Sequence, residues 1–367
     1  MDILEEIIDA LQSDEETILA TIISTNGSTP ASALSKMLVK DGGKKWLGTV
    51  GGGCLEGDVL QEAITMFGSG ASKILSFELN ETNLDQGLIC GGSLDVLIEP
   101  LLKKHLVFFR EMKQARDNGD DCIQVTFIAQ DGKISFKHCL NMSQDWNDGM
   151  MEWWKNVDGR SGLTMEIVVE GIKKTYRRNE TERLKNANGE LILEPVQGMP
   201  SLIIFGGGHV SKYISRSAAM VGFHVTIIDD RPEYANPVRF PEAKKTIACD
   251  FAEAFGQIEI KPSTYVVIVT RGHRSDEEIL SHVVEKPAKY IGMIGSQRKV
   301  LTTYKHLVER GISIETLRKV HAPIGIEIGA TTAEEIAVSV VAQLIAVRRG
   351  EVDRLENKSN VMRKLIT

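Results

Sequence analysis

Leu202-Ile203-Ile204-Phe205-Gly206-Gly207-Gly208-His209-Val210-Ser211 decides how the C-terminal half of this chain folds. Four apolar residues in a row read as a buried strand, three glycines as a tight turn, and Lys212 to Val221 as the helix that follows. Phe223 to Ile228 is a second strand, ending at Asp229-Asp230, and Tyr265 to Val269 and Tyr290 to Ile294 are two more. Helices fill Asp276 to Val284, Arg298 to Glu309 and Thr332 to Arg348. Strands alternating with helices in this way predict a doubly wound, Rossmann-like parallel sheet. The glycine pattern departs from GxGxxG at its last position, where Ser211 stands. In this context Gly206, Gly207, Gly208 and His209 open a helix whose N-terminus suits a pyrophosphate. Asp229 is placed to take ribose hydroxyls. Such folds also serve as scaffolds, so dinucleotide binding is one option among others.

Two further loops fall at the carboxyl edge of this sheet, where α/β proteins bind ligands. In Thr270-Arg271-Gly272-His273 the arginine suits a phosphate. His273 is read as a helix cap or substrate contact, with proton transfer the weaker alternative. In Gly295-Ser296-Gln297-Arg298, Ser296 and Arg298 form either a second anion contact or an ordinary loop. Thr332 with Glu335 fits a capping box, which makes Glu335 structural.

The N-terminal half is organised around Gly48-Thr49-Val50-Gly51-Gly52-Gly53-Cys54-Leu55-Glu56-Gly57. Gly51, Gly52 and Gly53 can turn through positive φ and present successive amides to an anion. Cys54 falls in the first turn of the next helix, where thiolate is favoured. The competing reading is a tight turn with a buried cysteine. Before this turn the chain predicts an amphipathic helix over Asp2 to Gln12 and strands over Thr17 to Ser24, Lys36 to Val39 and Lys45 to Val50. After it come strands over Ser72 to Leu79 and Ser93 to Pro100. Cys90-Gly91-Gly92 is a second glycine-flanked cysteine. These elements define an α+β N-terminal domain over residues 1–100.

Residues 101–195 read as a further α+β region, possible either as a separate insertion or as part of the N-terminal domain. A helix over Phe108 to Gly119 and a strand pair about Gln130-Asp131-Gly132 are expected there. Trp146, Trp153 and Trp154 are packing residues, or the face of a scaffold that binds enzymes. Leu163 to Glu170 and Ile172 to Arg178 alternate like a hairpin about Gly171. Glu194 to Pro200 reads as a linker, residues 199–350 as the Rossmann-like domain and 351–367 as a tail.

A length of 367 residues with 42% hydrophobic and 25% charged residues fits an ordinary globular protein. A net charge of -7 argues against nucleic acid or an anionic membrane as partner. The acidic first residues do not resemble a signal peptide, and no apolar run reaches the ~18 residues of a membrane span. The five cysteines are widely spaced, which speaks against a disulfide framework and for a reduced, cytoplasmic setting. No zinc pattern, nucleophile elbow or Walker A sequence occurs.

Together these motifs resemble the XdhC/CoxI proteins, accessory factors of xanthine dehydrogenase and related molybdenum hydroxylases. The resemblance is carried by Gly52-Gly53-Cys54-Leu55-Glu56-Gly57, Cys90-Gly91-Gly92 and Phe205-Gly206-Gly207-Gly208-His209-Val210. Asp229-Asp230-Arg231-Pro232, Thr270-Arg271-Gly272-His273, Tyr290 to Ser296 with Arg298, and Ala322 to Ala337 add to it. It implies a chaperone for molybdenum cofactor (molybdopterin), typically a homodimer, rather than a self-standing enzyme. Such a protein binds the cofactor, supports its sulfuration by a cysteine desulfurase, and delivers it to the apo-hydroxylase. It implies that Cys54 is the cofactor's metal-end ligand and that Cys90 fills the second cysteine position. Residues 31–36 depart from the family pattern: many relatives follow Pro30 with arginine, and Lys36 is the residue left to replace that anion contact. An NAD(P)-dependent oxidoreductase built on Gly206, Gly208 and Asp229 is the alternative.

Overall fold

The computed structural model describes residues 2–79, 91–142 and 161–350. It divides into two compact units, Met1–Gly198 and Met199–Thr367. Cys90 and the three tryptophans Trp146, Trp153 and Trp154 lie outside the described residues. Among the described residues no helix is long and apolar enough to cross a membrane.

The first unit begins with α1 (Ile3–Gln12), capped by the Asp2 carboxylate accepting the Leu4 N–H at 3.1 Å. Strands β1 (Thr17–Asn26), β2 (Lys36–Lys40) and β3 (Lys45–Gly48) follow, then α2 (Gly53–Met66), β4 (Lys73–Glu78) and β5 (Ser93–Leu101). The sheet order is β3-β2-β1-β5-β4, antiparallel throughout. β1 is central and covered on both faces, which is why it reads as an unbroken apolar run. Its Ile18, Ala20 and Ile22 meet Leu55, Val59 and Ala63 of α2. Leu19 on the other face joins Ile7 and Leu11 of α1 and Phe109 of α3 (Leu106–Asp117).

A second antiparallel sheet, ordered β7-β6-β9-β8, is built from β6 (Cys122–Ala129), β7 (Ile134–Asn141), β8 (Glu182–Asn186) and β9 (Gly189–Val196). The hairpin expected about Gly171 is instead one helix, α4 (Met165–Arg178). Its buried residues Val168, Gly171, Ile172 and Thr175 recur at three- and four-residue spacing, a helical period that a two-residue reading of the β-branched positions obscures. Gly171 serves packing there, since a Cβ would sit 2.9 Å from Leu193 and 3.1 Å from Leu184. The expected linker also loses its first residues to β9. Pro195 pairs with Ile123 but lies beyond the end of β8, so no ladder bond is lost by its missing N–H on that side.

The two sheets of this unit are joined by polar side chains. Lys137 Nζ lies 2.8 Å from Glu99 Oε2 with both side chains 1% exposed, and it also donates to Thr126. Lys36 Nζ donates to Glu194 at 2.8 Å and to Thr21 at 3.1 Å, and Gln124 reaches the other Glu194 oxygen. Lys36 is thus committed to an internal ion pair and does not supply the anion contact expected of it.

The second unit is a parallel sheet ordered β12-β11-β10-β13-β14. β10 (Ser201–Phe205) leads into α5 (His209–Met220), then β11 (His224–Asp229), β12 (Lys245–Ala248) and α6 (Phe251–Ala254). β13 (Tyr265–Ile268) leads into α7 (His273–Val283), and β14 (Tyr290–Met293) into α8 (Gln297–Glu309), α9 (Ile314–Leu317) and α10 (Ala333–Arg348). α6 to α9 cover one face and α5 and α10 the other. Strand order reverses between β10 and β13, so the glycine turn and the Thr270 loop open at the same switch point. The capping box is formed: Thr332 accepts the Glu335 N–H, and the Glu335 carboxylate takes the Thr332 N–H.

Candidate functional site

In the first unit the turn into α2 has three successive positive φ angles, 125° at Gly51, 72° at Gly52 and 60° at Gly53. A Cβ on Gly51 would meet Pro30 at 3.0 Å, whereas one on Gly52 or Gly53 would meet nothing within 4 Å. Cys54 is exposed above this open stretch. Of the other described cysteines, Cys122 and Cys139 are buried in the core. Cys249 is half-buried, and burial, with Glu253 and Asp250 adding, pushes its thiol up. The buried-cysteine alternative therefore does not describe Cys54.

The turn is not an empty amide nest. Gly51 N–H donates to Thr49 Oγ1 at 3.1 Å, and Gly52 N–H donates to Glu56 Oε2 at 3.3 Å. The Thr49 hydroxyl also donates to Glu56. Glu56 thus takes up the outer amides of the turn, Gly52 directly and Gly51 by way of Thr49, while no side chain caps the first turn of α2. Beyond those two amides the turn presents the exposed sulfur of Cys54. Gly91 and Gly92, which follow Cys90, sit nearby in the fold: a Cβ on Gly92 would lie 2.3 Å from Ser28 O, in the same turn that supplies Pro30 to Gly51.

In the second unit the glycine turn is built tightly. Gly207 N–H donates to Asp229 Oδ2 at 2.7 Å. Arg231 Nε donates to Oδ1 at 2.8 Å and Arg231 Nη2 to Oδ2 at 3.1 Å. Asp229 is 2% exposed. Burial pushes its carboxyl up, but the Arg231 guanidinium and the N–H groups of Gly207 and Arg231 outweigh this and hold it below the usual range. The carboxylate expected to take ribose hydroxyls is therefore spent on the turn itself. The segment after it folds over the glycines: Arg239 Nε donates to Gly207 O at 3.0 Å, and the guanidinium groups of Arg231 and Arg239 lie 3.6 and 5.0 Å from the Tyr234 ring centroid. Only the far side of the turn, at Gly208 and the exposed His209, is open.

Arg271 is 64% exposed and pairs with Asp230 at 3.1 Å, an exposed contact easily exchanged for another anion. His273 is the first residue of α7, but the cap is Gly272, with no side-chain bond, so His273 does not cap. Ser296 does cap α8, accepting the Lys299 N–H at 3.3 Å. His273, Ser296 and Arg298 line a groove of ≈ 590 Å³ between α7 and α8. The residues expected to form one site thus divide between the switch-point turn and this groove. Arg231, Tyr234 and Arg239 join the turn through the fold, and in the sequence only the Asp229-Asp230-Arg231-Pro232 motif points to them.

These features define a two-unit α/β protein with a closed Rossmann-type glycine turn and an exposed, glycine-flanked cysteine. The XdhC Rossmann domain matches residues 202–344, and the XdhC and CoxI family matches residues 10–78. The chain belongs to the XdhC/CoxI family. It is 26% identical over 348 residues to a probable xanthine dehydrogenase subunit of Bacillus subtilis (strain 168), covering 93% of this chain and 96% of that protein. It is 23% identical over 348 residues to the molybdenum cofactor insertion chaperone PaoD of Escherichia coli (strain K12), covering 94% and 88%. A crystal structure of a Bacillus halodurans protein described as a xanthine dehydrogenase superposes with a TM-score of 0.74, at 25% identity and 99% coverage of both chains.

Proposed function

We propose that this chain is an insertion factor for molybdenum cofactor that serves xanthine dehydrogenase or a related molybdenum hydroxylase. The exposed thiol of Cys54, raised on an open glycine turn, carries this reading. The likeness to an insertion chaperone supports it. Among the described residues no group of three or more His, Cys, Asp or Glu could hold a metal ion. A cargo that brings its own organic ligands needs only one sulfur from the protein. A single exposed ligand also suits a carrier, because it can be exchanged for the recipient's own site. Sulfuration by a cysteine desulfurase, a homodimeric state and a cytoplasmic setting belong to the same proposal.

The test is anaerobic mixing of the full chain with molybdenum cofactor, followed by gel filtration and measurement of retained molybdenum. Wild type should retain it and Cys54→Ser should not; equal retention removes Cys54 from the proposal. The NAD(P) oxidoreductase alternative is weakened by Asp229, whose two oxygens are already engaged.

A further inference from the structure

We propose that a groove in the first unit, where the start of α1 meets the end of α3 and the strand ends at Lys36, Gly48 and Val196, binds a small uncharged aliphatic molecule with one carbonyl head. It lies wholly within Met1–Gly198 and encloses ≈ 500 Å³, in the range of small-molecule pockets. Its apolar walls are Ile3 and Leu4 of α1, Leu47 of β3, Met112 of α3, Val196 of β9, and Leu34 in the loop before β2. Among the described residues that line it none is aromatic, so the walls suit a flexible chain and offer no ring for a heterocycle to stack on.

Leu34 carries the assignment. Its φ is 70°, a left-handed backbone that crowds Cβ against a carbonyl oxygen and costs free energy. The other non-glycine residues with positive φ among the described ones are Asp14, Asp41 and Asn179, types that tolerate this region. The conformation is built in: Leu34 N–H donates to Ile22 O at 2.8 Å, and Ile22 N–H donates to Ser35 O at 3.0 Å. A leucine held there at a cost, only half-buried and lining a groove, is kept for what its side chain touches and not for the loop.

The charges of the groove cancel in pairs. Asp2 accepts Arg116 Nη1 at 3.1 Å and Nη2 as well, and Lys36 is held by Glu194 at 2.8 Å. An ionic ligand therefore finds no net opposite charge to offset the loss of its hydration. One donor is left over: Arg116 lines the groove, and its Nε is buried with no hydrogen-bond partner among the described residues. A neutral acceptor, such as an amide or ester carbonyl, satisfies that N–H without disturbing the pair with Asp2.

Isothermal titration calorimetry of the full chain with octanamide, octanoate and octylamine tests the site. It uses no molybdenum, so its outcome is independent of the cofactor reading of Cys54. Wild type should take up one octanamide per chain with a Kd below about 1 mM and bind the two charged analogues at least about tenfold more weakly. Leu34→Gly should weaken octanamide by at least about fivefold while Tm is held, because glycine is at ease at that φ. Leu47→Ser, on the edge strand β3, should weaken it as well and keeps the test alive if the first variant does not fold. No octanamide binding by wild type at the solubility limit, octanoate bound as tightly as octanamide, or octanamide binding unchanged in a folded wall variant would each overturn the proposal.

Discussion

Asp229 Oδ2 accepts the backbone N–H of Gly207 across 2.7 Å, tying the end of β11 to the turn that leaves β10. In the same carboxylate, Oδ1 accepts Arg231 Nε. A residue in the position of a ribose ligand acts here as the brace of its own glycine turn. Asp229→Ala strips a charged partner from a part-buried guanidinium and leaves the buried Gly207 amide without its acceptor. It should destabilise the second unit by about 3 kcal/mol, roughly 6–12 °C in Tm at this size. Differential scanning calorimetry checks this, and an unshifted transition would show that the brace carries no stability.

Adjacent glycines in that turn should respond differently to the same change. A Cβ on Gly207 would lie 2.2 Å from the Tyr234 carbonyl oxygen, whereas one on Gly208, at φ -67°, would meet nothing within 4 Å. Gly207→Ala must push the Arg231 to Phe240 segment off the turn and should cost more than about 2 kcal/mol, while Gly208→Ala should stay within about 0.5 kcal/mol. Urea midpoints of the two variants decide between this and a turn that tolerates either residue.

The ion pair of Lys137 and Glu99 is fully buried. Lys137→Met alone leaves a carboxylate without its partner between the two sheets of the first unit and should cost about 3–5 kcal/mol. Glu99→Leu/Lys137→Met removes both charges and should recover most of that loss. A double variant no more stable than the single one would mean that the pair matters for its packing and not for its charges.

His105 is buried, accepts the Leu102 N–H at Nδ1 and has its pKa pushed down to about 3 by burial, with the Lys137 and Lys104 ammonium groups adding. The unfolded chain takes up this proton near pH 6.5. Stability from the neutral ring is therefore complete above about pH 6.5 and is lost as pH falls towards 3, at up to about 1.4 kcal/mol per pH unit. Denaturant midpoints between pH 7 and 4.5 should show the fall, and His105→Gln should flatten it. An equal slope in the variant would assign the acid sensitivity to other groups.

Most elements of the fold can be read from spacing along the chain. Three-residue glycine turns after apolar runs mark the entries to α2 and α5, and the Thr332–Glu335 spacing marks the start of α10. The miss over Met165–Arg178 has a local cause. Val168 and Ile172, four residues apart, satisfy both periods, and their place in one cluster with Leu184 and Leu193 selects the helix. β8 and β12 escape such a reading. Both are short edge strands of four or five residues, and their charged residues carry little apolar pattern.

Site chemistry is legible to a lesser degree. Residue types at turns and strand ends point to Cys54, Arg271, His273 and Arg298, because glycine content and apolar periodicity are properties of neighbouring residues. The partners of those groups are not such properties. That Glu56 takes the amide of Gly52, that Arg231 and Gly207 consume Asp229, and that Lys36 is drawn to Glu194, 158 positions away, follows from which elements come to lie side by side. A buried charge is satisfied by whatever its neighbours in space provide. Local pattern therefore established the sheets, the turns and the exposed sulfur's place in the chain, and long-range packing chose which polar groups are spent on holding the fold and which stay free for a ligand.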